Sequence, residues 1–351
     1  MVDIINSPAD WRGPDMLQRK DWIYEISPSE KSEILAALSS AKAKGISFET
    51  MTADNFSLPE FSKALAHARD MLEDGPGLFH FRGVPIDGLS KDDARLIYWG
   101  LGRHLGTAVS QSHFGDVLGD VRDFGSDINS PDGRGYRSRQ QLSYHTDTCD
   151  VVGLMVLRTA KKGGMSIIAS SLAVHNEMAR ARPDLLESLY EPLPRSWNGQ
   201  EPEGEAPWYL QPLFSVQNDK ICCRYIKKQI QNSQRFDDAP RLTEKQIEAM
   251  DFFDSLASSD AFRFTYMFQP GDVQLLNNHV MVHSRTEFED WPEEDRKRHL
   301  LRMWLSVPNS RPLSDAMHVI YRDRRPGAVR GGFPSRSGRL AYNTMQAVTT
   351  D

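Results

Sequence analysis

No apolar run in this chain approaches the roughly 18 residues that a membrane-crossing helix needs, so no membrane span is expected. The opening stretch, Met1 to Pro8, has no basic segment followed by an apolar one and does not read as a secretory signal. Cysteine is scarce: Cys149 and the adjacent Cys222 and Cys223 do not make a disulfide framework. The cytoplasm is therefore the expected compartment. Basic excess is lacking as well. With 42 Lys and Arg against 48 Asp and Glu the net charge is −6, which argues against a nucleic-acid groove. Internal repeats and low-complexity tracts are absent. What remains is an ordinary globular composition, 39% apolar, in 351 residues that can bury a large core. One catalytic domain is expected over 1–351: an arm and helices over 1–75, a core with insertions over 76–307, and a tail or lid over 308–351.

Residues 1–25 read as an irregular arm carrying Trp11 and Trp22. Ser27-Pro28-Ser29-Glu30 starts a helix, with serine as cap and proline at the first helical position. A second helix is expected to begin near Ser57-Leu58-Pro59-Glu60 and to end near Glu73. A strand follows from Leu78 to Val84, and a third helix from Ser90 to about His104. Gly106 to Gln141 is polar, rich in Gly, Ser and Asp, and feeds directly into His145; it reads as a cover over a site. Within it Tyr136, Gln140 and Gln141 are candidate substrate contacts, an ordinary surface loop being the alternative. Val151 to Leu157 suits an inner strand, and Met165 to Ile168 starts another. Helices are expected at about 172–181, 184–190 and 243–257, and an ordered loop at 191–215.

The stretch that organises the chain is His145-Thr146-Asp147. On a strand, residues i and i+2 share a face, so both side chains can reach one ion. A second imidazole from a neighbouring strand would give two histidines and one carboxylate on one side of the ion. That leaves the opposite positions open, as in non-haem Fe(II) oxygenases. Such triplets also arise by chance: His175-Asn176-Glu177 is another, but it falls in a helical run where residues two apart diverge by roughly 200°. For the second imidazole His279 and His283 compete within Asn277-Asn278-His279-Val280-Met281-Val282-His283. His283 is preferred because of the strand that comes after it.

That strand is Arg298-His299-Leu300-Leu301-Arg302-Met303-Trp304-Leu305. Read with period two, Arg298, Leu300, Arg302 and Trp304 share one face, and His299, Leu301, Met303 and Leu305 the other. Two guanidiniums on a face with leucine and tryptophan should each meet a carboxylate, because an unpaired buried charge is costly. A dicarboxylate cosubstrate would supply one, gripped in bidentate fashion; internal Asp or Glu partners are the alternative. Four residues along a strand separate the two arginines by roughly 13 Å, so they serve different carboxylates or different ends of a pocket.

Taken together, His145-Thr146-Asp147, Gly163-Gly164-Met165-Ser166, Asn277-Asn278…His283 and Arg298…Arg302 resemble the taurine dioxygenase family of Fe(II)- and 2-oxoglutarate-dependent oxygenases, clavaminate-synthase-like. The resemblance covers about residues 75–307. It implies a mainly β fold with α additions, a double-stranded β-helix (jelly-roll) core flanked by helices. It implies His145, Asp147 and His283 as iron ligands, and Ser166 and Arg298 as the residues that hold the far carboxylate of 2-oxoglutarate. Serine replaces the commoner threonine there but keeps the hydroxyl. The family often has Asp-Asn-Arg where this chain has Asn277-Asn278-His279, which leaves His279 as an active-site neighbour of open role. Arg302 matches a position that contacts an anionic substrate in some members; Trp304 could shape an apolar end.

The chemistry implied uses Fe(II), 2-oxoglutarate and O2 to oxidise a C–H bond, releasing succinate and CO2. Hydroxylation is favoured, since related halogenases lack the carboxylate ligand; desaturation or ring closure stay open. A small molecule, with anions among the candidates, such as an amino acid or a secondary-metabolite intermediate, is the expected substrate. Neither nucleic acid nor membrane is an expected partner, and family members often form dimers or tetramers. The alternatives are a redox-inactive metal-dependent jelly-roll hydrolase or isomerase and a non-enzymatic binding protein.

Overall fold

The structure, a computed structural model, describes residues 3–126 and 135–342, with the side chain of Tyr136 outside that description. Ten strands form two facing sheets. The larger takes β1 (Ile23–Glu25), β2 (Leu78–Arg82), β3 (Thr107–Ala108), β4 (Leu118–Val121) and β5 (Val151–Arg158). The chain then enters the smaller sheet with β6 (Ser166–Ser170) and β7 (Arg263–Tyr266), returns with β8 (Val273–Asn277), crosses again with β9 (Met281–Arg285) and ends in β10 (His299–Ser306). In the larger sheet β8, β5 and β10 lie side by side and antiparallel, with β2 and β1 beyond β8 and with β3 and β4 on the far edge of β10. In the smaller sheet β6 runs between β7 and β9. Across the gap the Ser166 hydroxyl donates to Gln274 Oε1 at 2.8 Å, tying β6 to β8.

Both faces of the larger sheet are covered, which is why its inner strands are almost wholly apolar. Leu301, Met303 and Leu305 of β10 pack with Val151, Met155, Phe79 and Phe81 against the N-terminal helices. Those helices are α1 (Gly13–Gln18), α2 (Pro28–Ala43), α3 (Phe61–Glu73) and α4 (Lys91–Leu105), of which α2 to α4 make the backing layer. Ser27 caps α2 in a reciprocal pair with Glu30, as its sequence predicts. For α3 the leading serine and proline are not the cap. The Glu33 carboxylate of α2 accepts the N–H groups of Glu60 and Phe61 instead, at 2.9 Å each, so a neighbouring helix satisfies this terminus. The smaller sheet is backed by α5 (Ser171–Ala181), α6 (Pro183–Ser188), α7 (Lys227–Ser233) and α8 (Glu244–Ser258) within one continuous core. Thr243 and Gln246 form the capping box of α8. Thr243→Ala is expected to lower unfolding stability by about 1 kcal/mol in a denaturant titration.

Several sequence expectations need correction. The arm is not irregular: it contains α1 and β1, Trp22 is buried, and the Trp11 indole N–H donates to Pro76 O at 2.8 Å. The polar stretch after Gly106 is not only a cover, because β3 and β4 within it extend the larger sheet along β10. The ordered loop expected over 191–215 holds strands instead, one pair lying within it and a second starting in it. Leu193–Ser196 pairs with Trp208–Gln211, and Phe214–Gln217 with Lys220–Cys223.

Candidate active site

His145-Thr146-Asp147 lies at the open end between the two sheets, on extended chain rather than in a regular strand. Single antiparallel bridges hold it on both sides. His145 and His283 of β9 exchange both backbone hydrogen bonds at 3.0 Å, which sets their rings 4.4 Å apart, centroid to centroid. Thr146 points the other way: its hydroxyl accepts from Tyr225 N–H at 3.1 Å and from Arg224 at 3.3 Å. Asp147 N–H donates to Asn278 Oδ1 at 2.8 Å, and Asn278 Nδ2 reaches Cys149 Sγ at 3.2 Å. Asn278 therefore braces the backbone that carries Asp147. His145 and Asp147 line the same cavity, although the supporting ladder is only two bridges wide.

The side chains are prepared for a cation. His145 Nδ1 lies 2.9 Å from Ser143 O, so the proton sits on Nδ1 and the Nε2 lone pair is available. Burial first, then His145, press the His283 pKa down to about 3, so this imidazole is neutral. Burial pushes the Asp147 carboxyl up, but Arg302, His283 and His145, with a smaller part from Trp304, more than offset it and keep it ionised. Asp147 Oδ2 and His283 Nδ1 have no hydrogen-bond partner. Among the described residues no three His, Cys, Asp or Glu side chains are already drawn together as tightly as a bound ion would draw them. His283 Nε2 and Asp147 Oδ2 are 3.7 Å apart, whereas donors at right angles on an ion about 2.1 Å away stand about 3 Å apart. The difference is within reach of a small side-chain rotation.

These residues open on a cavity of about 600 Å³, which Ser166, Gln141, Arg298, Arg302 and Trp304 also line. The inward face predicted for β10 is thus the face observed. His299, on the opposite face, pairs with Asp120 at 2.6 Å. Arg302 meets a carboxylate, and it is Asp147 itself: Nη1 to Oδ1 is 3.5 Å, while Nε donates to Gln111 Oε1 at 2.7 Å. Arg298 behaves differently. It is buried, its Nη1 has no hydrogen-bond partner, and Asp290, the acid beside it, accepts the backbone N–H of Arg298 at 2.7 Å. Burial, then Arg285, press the Arg298 pKa down from the usual arginine range. Gly164 in the Gly-Gly turn has φ +72°, and a Cβ there would lie 3.1 Å from Arg298 Nε, so the turn's glycine makes room for the guanidinium.

Not every expected residue lies in the cavity. His279 is fully buried behind it, with Nε2 2.9 Å from Asp150 Oδ1 and Nδ1 3.1 Å from Cys222 Sγ, and it does not line the space. The Tyr136 side chain falls outside the described residues. Sequence reading missed Gln111, Trp197, Lys228 and Phe333, all of which line the cavity. The second triplet is structural: His175 is buried in α5, hydrogen-bonded to the Tyr190 hydroxyl at 2.8 Å, while Glu177 pairs with Arg12. Burial holds the His175 pKa down to about 4. The folded imidazole thus stays neutral at a pH where the unfolded one, near 6.5, takes a proton. Its contribution to stability is complete above pH 6.5 and is lost as pH falls toward 4, by up to about 3 kcal/mol. In urea titrations across that range, His175→Gln should show a shallower loss than the parent.

A jelly roll with an open donor set beside an unpaired buried guanidinium is the architecture of a non-haem iron dioxygenase that uses a keto-diacid. The family described as taurine catabolism dioxygenase TauD, TfdA family matches residues 41–304, and the chain belongs to it. FR-33289 synthase of Streptomyces rubellomurinus is 32% identical over 327 residues, spanning 91% of this chain and 96% of that one. A taurine hydroxylase-like protein of Stachybotrys chartarum is 26% identical over 312 residues, 85% of this chain and 79% of its own length. Among solved structures, an asparagine oxygenase with Fe(II), 3-hydroxyasparagine and succinate superposes with TM-score 0.64 at 19% identity, over 81% of this chain and 93% of that one. The non-haem iron oxygenase OrfP with Fe and alpha-ketoglutaric acid gives 0.62 at 18%, with the same coverage. The protein is accordingly an Fe(II)- and 2-oxoglutarate-dependent dioxygenase. It oxidises a C–H bond of a small molecule with O2 and releases succinate and CO2.

Proposed function

We propose that His145, Asp147 and His283 hold the iron, that Ser166 and Arg298 take the far carboxylate of 2-oxoglutarate, and that the substrate is a small organic anion that becomes hydroxylated. The whole chain acts as one catalytic domain in this reading. The observation that carries it is Arg298, a buried guanidinium whose Nη1 has no hydrogen-bond partner and which forms no ion pair among the described residues, lining the same cavity as Asp147 and the two histidines. A cation so placed is costly unless a ligand supplies the anion. Bound Fe(II), with 2-oxoglutarate and O2, supplies the oxidising power for the C–H bond. The protein's own groups orient and insulate. Ser143 O fixes the His145 tautomer, Asn278 holds the Asp147 backbone, and Arg302, set by Gln111, steadies the Asp147 carboxylate.

The anionic substrate follows from the charge around the cavity. Among the described residues that line it are Lys227, Lys228, Arg285, Arg298 and Arg302, and the one carboxylate among them is that of Asp147. Even with Lys227 held by Asp251 and Asp254, positive charge dominates. Fe(II) and the 2-oxoglutarate dianion cancel one another and leave that excess in place. Arg302 is the cation nearest the iron site, and Gln141 lies at the cavity wall for a polar contact. Asparagine oxygenase and OrfP are solved with hydroxylated amino acids, so amino acids belong in the test panel. Succinate release should be measured across amino acids, small carboxylic acids and neutral terpenoid or alkaloid intermediates. Stimulation by carboxylates is expected; stimulation by neutral or cationic compounds alone would contradict the anionic reading.

A further inference from the structure

After β10 the chain turns back to the cavity wall, where several hydrogen bonds fasten it. Arg330 is fully buried; its Nε donates to Asp150 Oδ1 at 2.8 Å and its Nη2 to Arg311 O at 2.7 Å. Asp150 also meets His279 at 2.9 Å and the Ser306 hydroxyl at 3.2 Å. Arg322 grips the carbonyls of Gly331 and Gly332 from the other side. Gly332 N–H donates to Thr148 O at 2.6 Å and Phe333 N–H to Ser110 O at 2.9 Å. The strap lies so close that a Cβ on Gly331 would stand 2.8 Å from Thr148 O, and both glycines have positive φ, +79° and +65°. The same few residues that follow Asp147 thus anchor the strap.

The outcome is that Phe333 enters the cavity wall, its ring 6.1 Å from Trp304 and 6.5 Å from Trp197. Three aromatic rings thus gather in the cavity wall, with the Arg302 guanidinium 5.0 Å from the Trp304 ring centroid. Polar groups pressed on such a wall lose water without gaining partners, whereas methylenes or an aryl ring gain by leaving water. We propose that Phe333 is a specificity-determining residue: with Trp197 and Trp304 it receives an alkyl or aryl arm of the anionic substrate. Arg330, acting through Asp150, is the positioning residue that fixes this wall relative to the iron motif. The inference rests on the anionic-substrate reading above and narrows it to an amphiphilic organic acid.

The test uses the full chain without O2, loaded with Fe(II) and saturating 2-oxoglutarate, titrated calorimetrically with acetate, butanoate and hexanoate. Wild-type affinity should rise about threefold to fourfold per added methylene. Phe333→Ala should flatten that gradient while leaving acetate and 2-oxoglutarate affinities unchanged, and Phe333→Leu should keep most of it. Val329→Ala, at a residue 62% exposed on the same strap, should alter nothing. Arg330→Gln should flatten the gradient with 2-oxoglutarate binding intact, and Arg330→Lys should restore part of it. A flat gradient or no binding in the wild type, or an undiminished gradient in Phe333→Ala, overturns the wall. Loss of 2-oxoglutarate binding in Arg330→Gln would make that residue merely structural and overturn its positioning role. Binding of 2-oxoglutarate to the wild type, measured first, tests the iron and cosubstrate assignments separately.

Discussion

Asp147→Ala is expected to reduce substrate-dependent succinate formation to background. The carboxylate does more in this site than add one donor. Its charge is kept against burial by Arg302 and the two imidazoles, and its Oδ2 has no hydrogen-bond partner. Removing it leaves two imidazoles as donors and takes away the carboxylate that Arg302 meets. Two imidazoles without an anionic donor, beside the Arg302 cation, hold Fe(II) poorly, since metal affinity depends on anionic donors and on what surrounds them. Asp147→Asn is the sharper variant, because it keeps shape and changes charge. Both should lose Fe(II) binding and activity together. If either formed succinate at the parental rate in response to substrate, the ligand set would be wrong.

Arg298→Met is the second large effect, and it has two opposite signs. Toward 2-oxoglutarate, truncating one member of a buried charge-assisted pair costs about 2 kcal/mol or more, so affinity should fall by about 30-fold or more. Toward folding, the same change removes a buried cation that lacks an acidic partner in the ligand-free protein, with its Nη1 unsatisfied. Apolar replacements of such groups are neutral or stabilising, so the variant should unfold at the same temperature as its parent or higher. Wild type should regain the difference when saturated with 2-oxoglutarate, because binding to the native state alone adds stability. Scanning both proteins with and without the diacid checks both signs. A variant that is less stable and binds 2-oxoglutarate normally would show that Arg298 has an internal structural role.

What could be read from the sequence follows from where periodicity carries information. The alternation read from the sequence put Arg302 and Trp304 of β10 on the inward face and His299 on the outward one, and Arg298, just before the strand, also faces the cavity. His145 and Asp147 were legible as an i, i+2 pair on extended chain, even though only two bridges hold it. Helix caps were visible where the cap is local, at Ser27 and Thr243, and invisible at α3, where Glu33 of another helix does the work. The cavity's remaining walls have no period to read. Trp197 sits beside a short two-stranded ribbon, Lys228 on a seven-residue helix, Phe333 on a strap set by two glycines and two arginines. Each depends on contacts more than a hundred residues away or on backbone hydrogen bonds that no side-chain pattern records. The expectation that both buried arginines need carboxylates was sound chemistry, but only the fold separated Arg302, which has one, from Arg298, which lacks one.

Anaerobic titration of the Fe(II)-loaded protein with 2-oxoglutarate, followed by visible absorption, tests the central assignment most directly. A charge-transfer band that saturates at one equivalent per chain is predicted. It should be absent in Asp147→Ala and His283→Ala, and displaced to much higher 2-oxoglutarate concentration in Arg298→Met. The same band at parental strength in both ligand variants would contradict the account.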